Sequence, residues 1–149
     1  MRLKILSTIL ALSILVIGAV ATAHAQFAGT RMSAQIPFDF VVGEQTLPAG
    51  SYELRRLGNE PYLLCIQNIE DTRNVMIFNT SLFDEGNAIP QSALVFHRYG
   101  DIYFLARIVS QYEGMIRELA TSDRERSMER DLASNKKTRQ IESVPLAAN

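Results

Sequence analysis

Only one histidine lies beyond the first 25 residues. It is His97, set in LVFHRYGDIYFL at residues 94 to 105 with Arg98, Tyr99, Asp101 and Tyr103 around it. Histidine near aspartate suggests general acid–base work, because imidazole titrates close to neutrality and a carboxylate can orient it. Ser92 or Ser110 would supply the nucleophile of a Ser-His-Asp hydrolase. Spacing argues against that triad. Asp101 lies four residues along an extended strand from His97, roughly 13 Å at strand rise, and neither serine stands in a nucleophile-elbow pattern. A strand histidine among aromatics is expected to pack and hydrogen-bond instead. Arg98, Tyr99 and Tyr103, with His97, offer another chemistry: an aromatic and basic patch for a ligand or partner, although long amphipathic side chains also snorkel at sheet ends.

Other reactive groups are few. Cys65 is the only cysteine, so an intramolecular disulfide is impossible. Its setting, YLLCIQN, predicts a buried thiol, with an intermolecular bond as the alternative. One histidine and one cysteine cannot build a zinc or copper site of the usual kind within one protomer. Asp71, Asp84 and Glu85 could approach a calcium ion, yet no loop has EF-hand spacing. There is no glycine-rich phosphate loop. The sequence therefore assigns no catalytic residue, no metal site and no cofactor.

The elements that must position these groups read as strands. Gly100-Asp101 suits a two-residue hairpin loop. It pairs Tyr99 with Ile102, His97 with Phe104 and Val95 with Ala106 on one face, and Arg98 with Tyr103 and Phe96 with Leu105 on the other. Both faces are mostly apolar, as in the centre of a sandwich or the wall of a small barrel. Ahead of it, residues 31 to 36 alternate and stop at Pro37, and residues 38 to 42 place Phe38, Phe40 and Val42 on one face. Leu47-Pro48-Ala49-Gly50 is a tight turn leading into a strand at 51 to 57. Residues 62 to 69 and 75 to 78 form two more strands, apolar on both faces and so expected inside the sheet. Residues 79 to 92, NTSLFDEGNAIPQS, show no periodicity; they read either as a binding edge or as a crossover tucking Leu82, Phe83 and Ile89 onto the core.

After Ser110 the character changes, and Gly114 bends the chain. Ser122-Asp123-Arg124-Glu125 is a capping box, in which the serine accepts a first-turn amide and the glutamate reaches back. It predicts a helix over about 122–135 whose apolar stripe is only Met128 and Leu132, enough to lie on a surface but not to enter a core. Residues 140 to 146 suit a last edge strand that tolerates Pro145.

The first 25 residues read as a signal peptide: Arg2 and Lys4, an apolar run to Val20, then Ala23-His24-Ala25 before a cut at Gln26. The competing reading is a retained anchor, which needs about 20 apolar residues. Cleavage leaves one domain, 26 to 149. It takes the 15 basic residues to 13 against 16 acidic, a mature net charge of −3, so nothing draws the chain to nucleic acid or an anionic membrane.

PFDFVVG at 37 to 43, LPAGSYEL at 47 to 54, LVFHRYGDIYFL at 94 to 105 and RELATSDRERSMER at 117 to 130 together resemble a family of small exported, uncharacterised proteins of soil bacteria. That resemblance covers most of the mature chain. In proteins of this pattern the helical segment usually begins RELPKS; here RELATS lacks the proline, which leaves the helix start less sharply defined. The resemblance implies export and a compact β-rich domain, and it brings no catalytic residues.

The expected architecture is mainly β, an antiparallel sandwich or small barrel of about seven or eight strands with one C-terminal α-helix. The expected role is a non-enzymatic binding or structural module of the cell envelope or extracellular space, with an envelope protein or small ligand as partner and no membrane span after signal cleavage. A small hydrolase using His97 and a carrier of an apolar ligand are the rivals.

Overall fold

The alternating segments become strands in a computed structural model of the chain, which describes residues 31–83, 90–135 and 138–148. The expected signal peptide lies outside the described residues. Eleven strands run in chain order as β1 (Met32–Ile36), β2 (Phe40–Val42), β3 (Gln45–Leu47), β4 (Gly50–Arg56), β5 (Leu63–Asn68), β6 (Val75–Phe83), β7 (Ala93–Tyr99), β8 (Ile102–Ser110), β9 (Met115–Leu119), β10 (Gln140–Pro145) and β11 (Ala147–Ala148). Among the described residues one helix, α1 (Asp123–Ser134), precedes β10.

The strands form a sandwich. One sheet runs β11-β1-β4-β5-β6 and the other β6-β9-β8-β7-β10. All of these pairs are antiparallel; β2 joins the second sheet by pairing parallel to β8, with β3 folded back on it. Two segments pass between the sheets, as at the corners of orthogonal packings. β6 pairs with β5 as far as Asn79 and with β9 from Thr80 onward. The C-terminal segment pairs with β7 through β10 and with β1 through β11, interrupted at Leu146, whose amide donates to the Ser92 carbonyl at 3.0 Å. The sheets are therefore pinned at both margins without closing into a barrel.

The core between the sheets is built from alternate positions of each strand, Phe40, Tyr52, Leu54, Ile66, Leu94 and Phe96 among them. The LPAG turn is tied to the PFDF stretch by side chains. Asp39 Oδ1 accepts from the Ala49 amide at 2.8 Å, and the Tyr52 hydroxyl donates to the Pro48 carbonyl at 2.6 Å while its ring meets Phe40 edge-on at 5.1 Å. A Cβ on Gly50 would come within 2.7 Å of Asn68 Nδ2, so a larger residue here would displace the Asn68 side chain.

Several local expectations change. The count exceeds seven or eight because β3 and β11 are three and two residues long, too short to show a period. β9 was hidden because Arg117 in MIREL points inward, breaking the alternation. β6 continues past Phe78 to Phe83, so much of the stretch from 79 is strand. Phe83 is about half exposed rather than tucked onto the core; Asp84, Glu85 and Ile89 lie outside the described residues. β5 is internal as expected, but the outer face beside it is open at Ile77, 53% exposed. Cys65 is buried and free, as its setting predicts. Among the described residues no helix is long and apolar enough to cross a membrane.

Candidate functional site

The hairpin that carries His97 forms with Gly100 at φ 65°, the left-handed conformation its tight turn requires. Pairing runs as expected from Tyr99↔Ile102 to Phe96↔Leu105, then shifts: Val95 faces Arg107, and Ala106 is the extra residue of a bulge. The expected Val95–Ala106 pair is therefore replaced. The four residues singled out in the sequence divide between two faces, since side chains alternate along a strand.

His97 and Tyr99 face α1. Beneath the helix Val41, Tyr99 and Phe104 form a small buried cluster, and Met128 and Leu132 pack onto it as the stripe predicts. The helix starts as a half capping box. Ser122 Oγ accepts from the Glu125 amide at 3.1 Å, but the Glu125 carboxylate turns inward instead of reaching back. It lies 2.7 Å from His97 Nδ1 and accepts from the Tyr99 hydroxyl at 3.3 Å. Both partners are enclosed, with His97 at 13% and Glu125 at 6% side-chain exposure. Asp123 N donates to Glu44 Oε1 at 3.0 Å and Arg124 to Thr46 Oγ1 at 3.2 Å, fixing the same end of the helix to the β2–β3 turn. Burial pushes the Tyr99 phenol above its usual value, Arg139 pulls it back, and Glu125 and Glu129 push it up again.

Arg98 and Tyr103 occupy the opposite face. The Tyr103 ring stacks on Phe38 at 3.8 Å and 12°, and the Arg98 guanidinium lies 5.3 Å from the same ring. Phe38 stacked on the ring and the guanidinium beside it leave Tyr103 half-buried. Arg98 Nε donates to the Gly100 carbonyl at 2.8 Å. A cleft of about 390 Å³ opens beside it, lined by Arg98, Gly100, Asp101, Leu132, Thr138 and Gln140.

The Ser-His-Asp constellation does not assemble. Asp101 is fully exposed in the turn, 3.9 Å from the Arg98 guanidinium. Ser92 is five positions from His97, roughly 16 Å at strand rise, and Ser92 and Ser110 lie together at the other end of the hairpin, accepting the amides of Gln111 at 2.9 Å and Glu113 at 3.2 Å. Asp71 accepts from the Arg73 amide and guanidinium, which holds its carboxyl below the usual range. Among the described residues no group of three metal-type ligands gathers.

Two arrangements were not legible. In the sequence Glu125 fits only a cap, because its partner is 28 positions away. Arg117, buried among the core side chains, pairs with Glu113 at 2.8 Å and donates to the Pro61 carbonyl, locking the 58–61 loop to the β8–β9 turn. No protein-family model, curated protein or solved structure matches the chain.

Proposed function

We propose that the chain is an exported, non-enzymatic binding or structural module of the cell envelope or extracellular space, of the kind its sequence pattern resembles. The observation that supports this reading is the enclosure of the His97–Glu125 pair beneath α1. A general base must reach the proton it abstracts, directly or through one water. Here the imidazole is spent on a carboxylate that anchors a helix, and no serine of the hairpin stands beside it. Export rests on the first 25 residues. The binding surface on this reading is the turn end of the hairpin, where Arg98 and the cleft beside it meet solvent.

A second reading draws on the same pair. A carboxylate 2.7 Å from a histidine is the orienting half of an acid–base dyad, which keeps a small hydrolase using His97 in view. One variant separates the two. His97→Phe, assayed below its lowered melting temperature, retains capture of partners from an envelope extract if His97 only packs. Loss of capture by a variant that remains folded at the assay temperature would overturn the module reading.

A further inference from the structure

At the turn end of the hairpin Arg98 is held by its stem and open at its tip. Gly100 closes the turn at φ 65°, and its carbonyl accepts from Arg98 Nε at 2.8 Å. The guanidinium carbon lies 5.3 Å from the centre of the Tyr103 ring, which is itself stacked on Phe38. These contacts fix the position of the guanidinium. Of its two terminal amino groups, Nη2 forms an ion pair with Asp101 at 3.9 Å, too long for a hydrogen bond; among the described residues neither has another partner.

The cleft that opens here, about 390 Å³, is at the small end of the range for small-molecule sites, roughly 300–1,000 Å³. Leu132 of α1 gives it a half-buried apolar wall, and Thr138 and Gln140 add a hydroxyl and an amide. Its charges are one cation and one anion side by side, Arg98 and Asp101. A lone carboxylate drawn to Arg98 meets Asp101, and a lone ammonium drawn to Asp101 meets Arg98, so each attraction is offset by a like charge close by. A zwitterion laid head to tail against the pair meets opposite charges only. An α-amino acid has that form: its carboxylate and ammonium share one carbon, which matches a pair 3.9 Å apart, and its side chain is left to lie on Leu132.

We propose that this cleft binds a free α-amino acid with an apolar side chain, its carboxylate on the terminal amino groups of Arg98 and its ammonium on Asp101. A guanidinium fork matches a carboxylate with two parallel hydrogen bonds. Because Nε and the Tyr103 ring already hold the fork, little rotamer freedom is lost when the ligand arrives. The end of a long peptide is the poorer ligand, since it brings one charge to a site that presents both. Both charges of the site stay near water, so the expected dissociation constant is about 0.1–1 mM. The proposal rests on the reading of the chain as a binding module and gives that module a small ligand.

The test is an NMR titration of the purified protein with leucine, beside 4-methylpentanoate, which lacks the ammonium, and leucinamide, which lacks the carboxylate. Leucine should shift the amides of Gly100, Thr138 and Gln140 and saturate, and the other two probes should bind about tenfold more weakly or less. Arg98→Lys keeps the charge but not the fork and should weaken leucine about tenfold. Asp101→Asn removes the like charge that opposes a lone carboxylate, so 4-methylpentanoate should then bind at least as tightly as leucine. No saturable shift up to about 10 mM leucine overturns the proposal, as do equal affinities for the three probes. Should Arg98→Lys fail to fold, Asp101→Asn decides, and an unchanged order of affinities overturns the proposal. If leucine fails while the protein captures a partner from an envelope extract, this inference falls and the module reading stands; if leucine binds and nothing is captured, the inference stands and the envelope partner falls.

Discussion

The carboxylate of Glu125 lies 2.7 Å from Nδ1 of His97 and joins the first turn of α1 to β7. This contact gives a polar helix a fixed seat. Met128 and Leu132 alone bury little apolar surface, and burying a hydrogen-bonded polar pair contributes little net stability because desolvation offsets the attraction. What the pair supplies is a penalty against misplacement: lifting or sliding the helix leaves an unpaired group facing an apolar floor.

Breaking one side of the pair should therefore cost more than the pair contributes. Glu125→Ala is expected to destabilise the fold by roughly 2 kcal/mol, the cost of leaving His97 Nδ1 and the Tyr99 hydroxyl without their shared partner. His97→Phe should cost a comparable amount, and His97→Phe/Glu125→Leu much less than their sum. Denaturant midpoints of the three variants give the coupling; simple additivity would show that the two side chains do not act together.

Asp39, Pro48 and Tyr52 lead to a second prediction. Three of the four stretches that carry the sequence resemblance meet around Phe38, Phe40, Tyr52, Phe96 and Tyr103, with rings 3.8 to 5.6 Å apart. The pattern is thus the architecture of one end of the sandwich. Tyr52→Phe, which removes the bond to the Pro48 carbonyl and the contact with Asn68, should cost about 1 kcal/mol and leave the circular dichroism spectrum unchanged; a loss of β signal would place the hydroxyl in folding specificity instead.

Cys65 tests the burial of the β5 face by chemistry. Burial pushes its thiol above the usual value, Arg55 pulls it down and Glu53 raises it. A protonated, enclosed thiol is a poor nucleophile. Reaction with an aromatic disulfide reagent at neutral pH should be slow in the native protein and fast in denaturant. Rapid native labelling would mean that the strand opens or that the thiol is reached from outside.

The strongest local patterns were legible in the sequence. Four pairs of the hairpin, from Tyr99↔Ile102 to Phe96↔Leu105, follow from the Gly100-Asp101 loop and a period of two, and the register fails only where Ala106 bulges. Helix α1 was legible from Ser122, and its docking stripe from Met128 and Leu132. The site was not. Glu125 fits a capping box as well as a buried partner, and nothing local distinguishes them; His97 settles the matter from another element. Arg117 reads as a surface cation until the fold places it on the core side of β9 with Glu113. Long-range partners of this kind depend on how sheets meet, which periodicity does not encode.

Stability at high pH should report the two enclosed phenols. Burial raises Tyr52 above its usual value, with Asn68 pulling it down and Asp39 pushing it up again, and burial likewise raises Tyr99. The native state then holds protons that the unfolded chain releases. Stability from this source is fully present below the unfolded value, about 10, and is lost as pH climbs through the folded one. Denaturant midpoints measured between neutrality and strong alkali should fall beyond pH ~10. The fall should be shallower in Tyr52→Phe and in Tyr99→Phe, and shallowest in the double variant. Equal slopes in all four proteins would mean that the phenols ionise in place and that other groups drive alkaline unfolding.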